Sequence, residues 1–303
     1  MEPFAVPGLR RHAERLRASY SRAAPFPHAV IDDLFPAGVI QAIASEVPEQ
    51  MLPSGCVPGA AACYRKASVH FRKSELHHES MGPSTRRLFV TLRSAPFVRF
   101  LETLSGVEGL IPDPGYEGSG VHLTGDGGVL AVHHDFNYML CDVASGVYSG
   151  CRRPNPHAAA TAQRVQLHRR VNVFVYLNHD WPDAYGGHLE LWARNMSRCE
   201  ARIRPALGRF AVFSSTDFSF HGHPTPLRLP PGRMRSEREE TPGELGPAYR
   251  KETASKTTSR CSRGQELATA RRSAAPGTST TSTAVSSSSA IFSTSVSDWV
   301  SWR

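Results

Sequence analysis

Apolar residues recur at helical spacing in the first third of the chain and at alternating spacing after about residue 118. Residues 8–20 read as a short, basic, amphipathic helix. Residues 28–31 read as an edge strand, the Asp32-Asp33 pair as a turn or helix cap, and 36–47 as a helix with apolar positions at 39, 40, 43 and 47. A further helical pair falls within 80–105, where Leu88, Val90, Leu92, Phe97, Phe100, Leu101 and Leu104 supply apolar faces. Beyond 118, the segments 121–124, 129–135, 170–177, 187–192, 200–203 and 209–214 read as short strands separated by Gly, Asn, Asp or Pro. Many short strands behind a helical layer predict an α+β, mainly β fold: a double-stranded β-helix (jelly-roll) barrel with N-terminal supporting helices.

Two stretches break this pattern. Residues 138–168 are rich in Gly, Pro, Ala and Cys and read as a structureless insertion, a lid over the site. Residues 251–303 hold 23 serines and threonines and few large apolar side chains, too little buried surface to offset chain entropy. The organisation expected is therefore an N-terminal helical extension over 1–24, one domain over 25–235 and a disordered tail over 236–303.

Composition narrows the class without naming a function. With 303 residues, 40% of them hydrophobic and 20% charged, the chain reads as an ordinary globular protein of one large domain or two small ones. The net charge of +8 raises nucleic acid as a partner. The arginines, however, are scattered in ones and twos (Arg10-Arg11, Arg86-Arg87, Arg152-Arg153, Arg169-Arg170) with no aromatic-interleaved stripe, which argues against nucleic-acid binding as the main function. Six cysteines, at 56, 63, 141, 151, 199 and 261, include no CxxC pair, so a structural zinc site is not expected. They read as unpaired thiols in a reducing cytosol. No signal peptide and no apolar stretch of membrane-spanning length is found, so a soluble, cytoplasmic protein without membrane partners is expected.

The segment GGVLAVHHDFN carries the chemistry. On a strand, side chains two apart share a face, so His133 and Asp135 project together beside Val129 and Ala131 while His134 points away. An imidazole and a carboxylate so placed offer two adjacent metal ligands. A second histidine from a distant strand completes a 2-His-1-carboxylate facial triad with positions left open for other ligands. His221, in SSTDFSFHGHP, is the best candidate, and His223 competes for the role. A rival HxE pair, His188 and Glu190 in GGHLELW, also shares one strand face, although that strand reads more simply as packing Leu189 and Leu191 inward with its other face partly solvated. His134, His157, His168 and His179 read as surface or loop histidines.

The segments PFPHAVIDD, RFLETLSGVEGLIPDP, GVHLTGDGGVLAVHHDFN, RRVNVFVYLNHDW, GGHLELW and FSSTDFSFHGHPTPL, taken in order, resemble the prolyl 4-hydroxylase-like 2-oxoglutarate/Fe(II) dioxygenases over roughly residues 25–235. The resemblance implies that His133, Asp135 and His221 hold Fe(II), which displaces the HxE and His223 alternatives. It implies that Tyr176 hydrogen-bonds the distal carboxylate of 2-oxoglutarate. An arginine of PPGRMRSE, Arg235 in preference to Arg233, would clamp the same carboxylate through its planar fork. The implied reaction consumes O2 and 2-oxoglutarate, releases succinate and CO2, and hydroxylates a peptide or protein residue, proline first, with L-ascorbate keeping the iron reduced. The alternatives are the same chemistry on a small molecule or a nucleic-acid base, or a catalytically silent binding protein that keeps the fold.

One departure stands out. Where such proteins continue after the arginine with an aliphatic–aromatic strand that closes the barrel, this chain reads SEREETPGELGPAYRKETASK. The abrupt change reads as translation in a shifted frame. A lost closing strand would open a sheet edge, reduce stability and weaken 2-oxoglutarate binding.

Overall fold

The computed structural model describes residues 1–47, 70–76, 81–113, 119–136, 138–144, 147–152, 164–230 and 290–298. Its first element, α1 (Leu9–Arg22), follows Gly8, whose φ of 73° turns the chain into the helix. Arginines line the outer side of α1, while Ala13 and Tyr20 are buried and the Tyr20 hydroxyl meets Ser214 Oγ at 2.8 Å. The helix falls within the N-terminal helical extension expected over 1–24, and its Ala13 and Tyr20 join the core. The short strand β1 (His28–Ile31) lies at a sheet edge, as its sequence predicts.

Three more helices complete the layer: α2 (Ala37–Ser45), α3 (Pro83–Leu92) and α4 (Ala95–Ser105). Both α3 and α4 carry a proline in the first turn, where its missing N–H is not needed, and α4 stops at Gly106 in the left-handed conformation. No side chain of its own caps α3. Glu46, just past α2, does so instead, accepting from the backbone N–H of Ser84 at 2.7 Å and of Thr85 at 2.8 Å.

The remaining strands are β2 (His70–Leu76), β3 (Leu110–Pro112), β4 (Gly120–His133), β5 (Tyr138–Ala144), β6 (Val147–Arg152), β7 (Arg164–His168), β8 (Val171–Tyr176), β9 (Leu189–Trp192), β10 (Cys199–Ile203), β11 (Phe210–Ser214), β12 (His221–His223) and β13 (Ala290–Asp298). The larger sheet runs β1-β11-β8-β13-β4-β12-β9-β10, with β2 also on β4 and β3 on β13. All pairings among the described residues are antiparallel.

Alternation along β8 and β11 decides the architecture. Val171, Val173 and Val175, with Phe210 and Val212, pack on Leu88, Phe89, Leu92, Phe97, Phe100 and Leu101 of the helices. Each such side chain contributes about 1.5–3 kcal/mol on burial. The opposite face presents Phe174, Tyr176, Ala211 and Phe213 to a second cluster with Leu189, Leu191, Ala201 and Ile203. One face of the sheet is therefore supported by helices, and the other is left to build a site.

Three expectations change here. Within 138–168 the described residues are not structureless: β5, β6 and β7 form a three-stranded sheet in the order β6-β5-β7, with Met139, Cys141 and Leu167 buried. The alternating apolar positions 139, 141, 165 and 167 were masked by the intervening Gly, Pro and Ala. Cys141 and Cys199 are each disulfide-bonded, not unpaired thiols, which removes the support for a reducing compartment. Finally, Ala290–Asp298, inside the stretch expected to be disordered, is a strand seated between β8 and β4. Its AIFSTSVSD sequence holds enough β-branched and aromatic residues to pair, despite its serines. The open edge expected from a lost closing strand is thereby filled. Among the described residues, no helix is long and apolar enough to cross a membrane.

Candidate metal centre

β4 ends at His133, and the chain continues through Asp135 without leaving the sheet surface. β12 lies antiparallel to β4 with His221 directly opposite His133. That register brings three donor atoms together: His133 Nε2 stands 3.5 Å from Asp135 Oδ1, and His221 Nε2 stands 3.4 Å from Asp135 Oδ2. One ligand atom from each of the three residues lies within 4.8 Å of the other two, the one such group among the described residues. Gly222 makes the approach possible, because a Cβ there would meet the carbonyl oxygens of Leu130 and Ala131 at 2.8 and 2.9 Å.

Both imidazoles are oriented in the same way. His133 Nδ1 lies 2.8 Å from the Ala131 carbonyl and His221 Nδ1 lies 2.9 Å from the Ser219 carbonyl. With Nδ1–H donating to a carbonyl, the Nε2 lone pair of each ring is left to face the centre, the usual arrangement of a metal-binding histidine. Burial pushes the His221 pKa down, as does the neighbouring His133, which favours the neutral ligand form. Burial opposes ionisation of Asp135, yet the two imidazoles and the Arg169 guanidinium together hold its carboxyl well below the ordinary range. Arg169 sits 3.5 Å from Asp135 Oδ1, and Asn172 Nδ2 donates to Asp135 Oδ2 at 2.9 Å.

A divalent ion fits this donor set. Ligands at right angles and about 2.1 Å from an ion stand roughly 3 Å apart, so each imidazole needs only a few tenths of an ångström of closure toward Asp135. Two imidazole nitrogens and one carboxylate on one side leave the other side open.

The rival residues fall elsewhere. His188 Nε2 is 3.2 Å from Asp183 Oδ1, and Glu190 accepts from the Trp192 indole at 3.1 Å with Arg202 nearby at 3.8 Å. This HxE face of β9 is buried, not partly solvated as expected, and its polar groups serve one another. His223 is buried opposite Leu130 and outside the trio. His134 is exposed with its ring against Phe220, and His168 packs between Phe136 and Tyr138. His179 lies in the turn after β8. His157, Arg233 and Arg235 lie outside the described residues.

Tyr176 is buried on the same face of β8 as Asn172 and Phe174. Its ring stacks on Phe174, Phe174 stacks on Phe213, and Phe213 lies 4.6 Å from His221, which links Tyr176 to the centre through aromatic rings. Burial pushes the phenol pKa up, so Tyr176 stays a neutral O–H donor. Beside the centre, a cavity of about 310 Å³ is lined by Phe136, His168, Arg170, Ser215, Asp217 and Phe218 among others. Sequence reasoning missed Asn172, Arg169 and Ser215. The one signal was Asn172 itself, a polar residue within the apolar run VNVFVY.

Two histidines and one carboxylate on an antiparallel sheet form the donor set used by mononuclear non-haem Fe(II) oxygenases. Residues 119–234 match the profile of the 2OG-Fe(II) oxygenase superfamily, which supports an oxygenase of that kind, a class that works with Fe(II) and 2-oxoglutarate. Among solved structures, it is similar to a prolyl-4-hydroxylase of Pseudomonas putida (14% identity, TM-score 0.42, covering 73% of this chain and 92% of that one). It is similar to the same degree to a prolyl hydroxylase of Trichoplax adhaerens in complex with a hypoxia inducible factor peptide fragment (14%, 0.42, 73% and 87%). HygX of Streptomyces hygroscopicus, with nickel and 2-oxoglutarate bound, is more distant (12%, 0.35, 68% and 78%). No curated protein sequence matches the chain.

Proposed function

We propose that this oxygenase hydroxylates a residue of a peptide or protein, proline first among the candidates. The oxygenase class is carried by the convergence of His133, Asp135 and His221 inside the matched segment. The peptide reading is supported by the sequence itself, in which the order HHD, YLN, DW, GG and HGH resembles the prolyl 4-hydroxylase-like enzymes. The jelly-roll closure expected from the strand pattern is part of this proposal, and the antiparallel larger sheet is consistent with it.

His133, Asp135 and His221 would hold Fe(II), which together with 2-oxoglutarate supplies the power to oxidise a C–H bond as O2 is consumed and succinate and CO2 are released. The chain's own residues do the rest. Asp135 stays ionised and is fixed by Asn172 and Arg169. The Tyr176 hydroxyl would donate to the distal carboxylate of 2-oxoglutarate, and Arg235, or its neighbour Arg233, would supply the cation for the same group. Phe174 and Phe213 pack around Tyr176 in an apolar cluster, where charged groups interact more strongly than in water.

The test is succinate release with Fe(II), O2, 2-oxoglutarate and ascorbate, comparing peptides that contain proline with the same peptides carrying alanine. Turnover that tracks the proline supports the reading. Turnover driven only by nucleic acid or small metabolites sinks it, and metal and 2-oxoglutarate binding without any turnover points to a silent binding protein.

A further inference from the structure

The metal-bearing face of β8 and β11 does not end at the iron ligands. The ladder pairs Phe213 with Asn172 and Ser214 with Val171, and it continues as the Ser215 N–H donates to the Arg170 carbonyl at 2.7 Å. Ser215 and Arg170 are therefore cross-strand neighbours. Each lies two positions from a residue already placed at the centre: Phe213 touches His221, and Asn172 holds Asp135. They thus share the face of the metal, about 7 Å along the strands from it and in the direction away from Tyr176.

Both side chains line the 310 Å³ cavity, and both carry unused donors. Ser215 is 1% exposed, and its Oγ has no hydrogen-bond partner. A buried hydroxyl without a partner is uncommon in a settled interior and points to a group that arrives later. Arg170 is half-buried and forms no ion pair with a described residue, while Arg169 is committed to Asp135. Phe136 and Phe218 supply apolar walls, His168 lies beside Arg170, and Asp217 is exposed at the rim where solvent screens it.

We propose that Arg170 and Ser215 form a substrate subsite for a carboxylate, so that the peptide hydroxylated here carries an acidic side chain close to the residue that is oxidised. A guanidinium and a hydroxyl on neighbouring strands can each donate to one carboxylate, and charge-assisted hydrogen bonds of this kind are short and strong. Phe136 and Phe218 then pack the apolar part of the same segment. The subsite rests on the peptide reading, and it adds the recognition rule that reading lacks.

The probes are fluorescein-labelled alanine pentapeptides with a central proline and one glutamate at each neighbouring position in turn, with the glutamine set as control. Binding to the full chain is measured by anisotropy with Co(II) and 2-oxoglutarate, without O2, for wild type, Arg170→Gln and Ser215→Ala. Wild type is expected to bind one glutamate peptide about tenfold tighter than its glutamine twin, with the preference abolished by Arg170→Gln and reduced by Ser215→Ala. Thermal melts of both variants check that they fold. Equal binding of the two sets, no binding of either, or a preference surviving in Arg170→Gln overturns the subsite. So does a fall in 2-oxoglutarate affinity that matches the fall in peptide affinity, because the cavity would then serve the cosubstrate. Acid preference that persists when the central proline becomes alanine supports the subsite while sinking the choice of proline.

Discussion

His133 and His221 face each other across the β4–β12 pairing, with ring centroids 4.6 Å apart. The metal centre is therefore a readout of strand register. A slip of one residue would send His221 to the opposite face and leave Asp135 and His133 without their third partner. Alanine at 133, 135 or 221 is expected to lower Fe(II) affinity by more than about 100-fold, since even outer partners of metal ligands are worth about 10–100-fold. His188→Ala, on the far side of β9, should leave the centre loaded. Anaerobic Co(II) titration followed by visible absorption reads both, and metal lost through His188 alone would reverse the assignment.

Gly222→Ala tests the same register from the backbone side. The added Cβ meets the oxygens of Leu130 and Ala131, and Ala131 is also the acceptor that orients His133. Neither carbonyl can swing away as a side-chain tip would. Overpacking of this kind costs about 1–3 kcal/mol. A lower melting temperature together with weaker Co(II) binding is expected, whereas a melt and a titration both like wild type would show that the strands approach less closely.

Asn172→Ala removes the donor to Asp135 Oδ2 without touching a ligand. The expected loss in metal affinity is about 10–100-fold. The ligand-field spectrum of the Co(II) form should broaden as the carboxylate gains freedom. An unchanged affinity would make Asn172 a packing residue only.

Tyr176→Phe keeps the ring that stacks on Phe174 and deletes only the hydroxyl. A hydrogen bond to a charged group contributes about 1.5–3 kcal/mol, so 2-oxoglutarate affinity should fall roughly ten- to a hundredfold. Calorimetric titration of 2-oxoglutarate into the Co(II) form checks this, and an unaltered Kd would remove Tyr176 from the proposed role.

Glu46→Gln probes the helix layer through pH. Burial raises the Glu46 pKa somewhat, but the hydrogen bonds from Thr85 and Ser84 outweigh it and hold the carboxyl below its ordinary value of 4.5. A depressed carboxyl stabilises the fold fully above that ordinary value and stops doing so as pH falls through the lower folded value. The gap in melting temperature between wild type and Glu46→Gln should be widest near neutrality and close in acid. A gap that stays constant down to pH 3 would show that the cap acts without charge.

The grouping of His133 with Asp135 was legible because the two stand two positions apart in one extended segment. Alternation alone puts His133 and Asp135 on a common face, whatever the rest of the chain does. His221 was harder, since HGH offers two histidines: the resemblance chose His221, and the pairing with β4 sets that residue opposite His133. Asn172, Arg169 and Ser215 were not legible, because their roles come from strand neighbours far away in sequence. The small sheet β6-β5-β7 and the strand β13 were hidden for another reason: their apolar positions are few and lie among Gly, Pro and Ser that signal irregular chain.

The place of β13 has a consequence for the order in which the protein matures. It joins β1, β11 and β8 on one side to β4, β12, β9 and β10 on the other. Asn172 belongs to the first block and the three metal ligands to the second, so the bond from Asn172 to Asp135 spans a seam that residues 290–298 close. A nascent chain emerging from the ribosome can assemble each block early, but the two halves lock only after some sixty further residues have followed Pro230 out of the exit tunnel. Metal loading is thereby tied to the emergence of Ala290–Asp298, and a polypeptide cut short before Ala290 would be released with its ligands in place and their support missing.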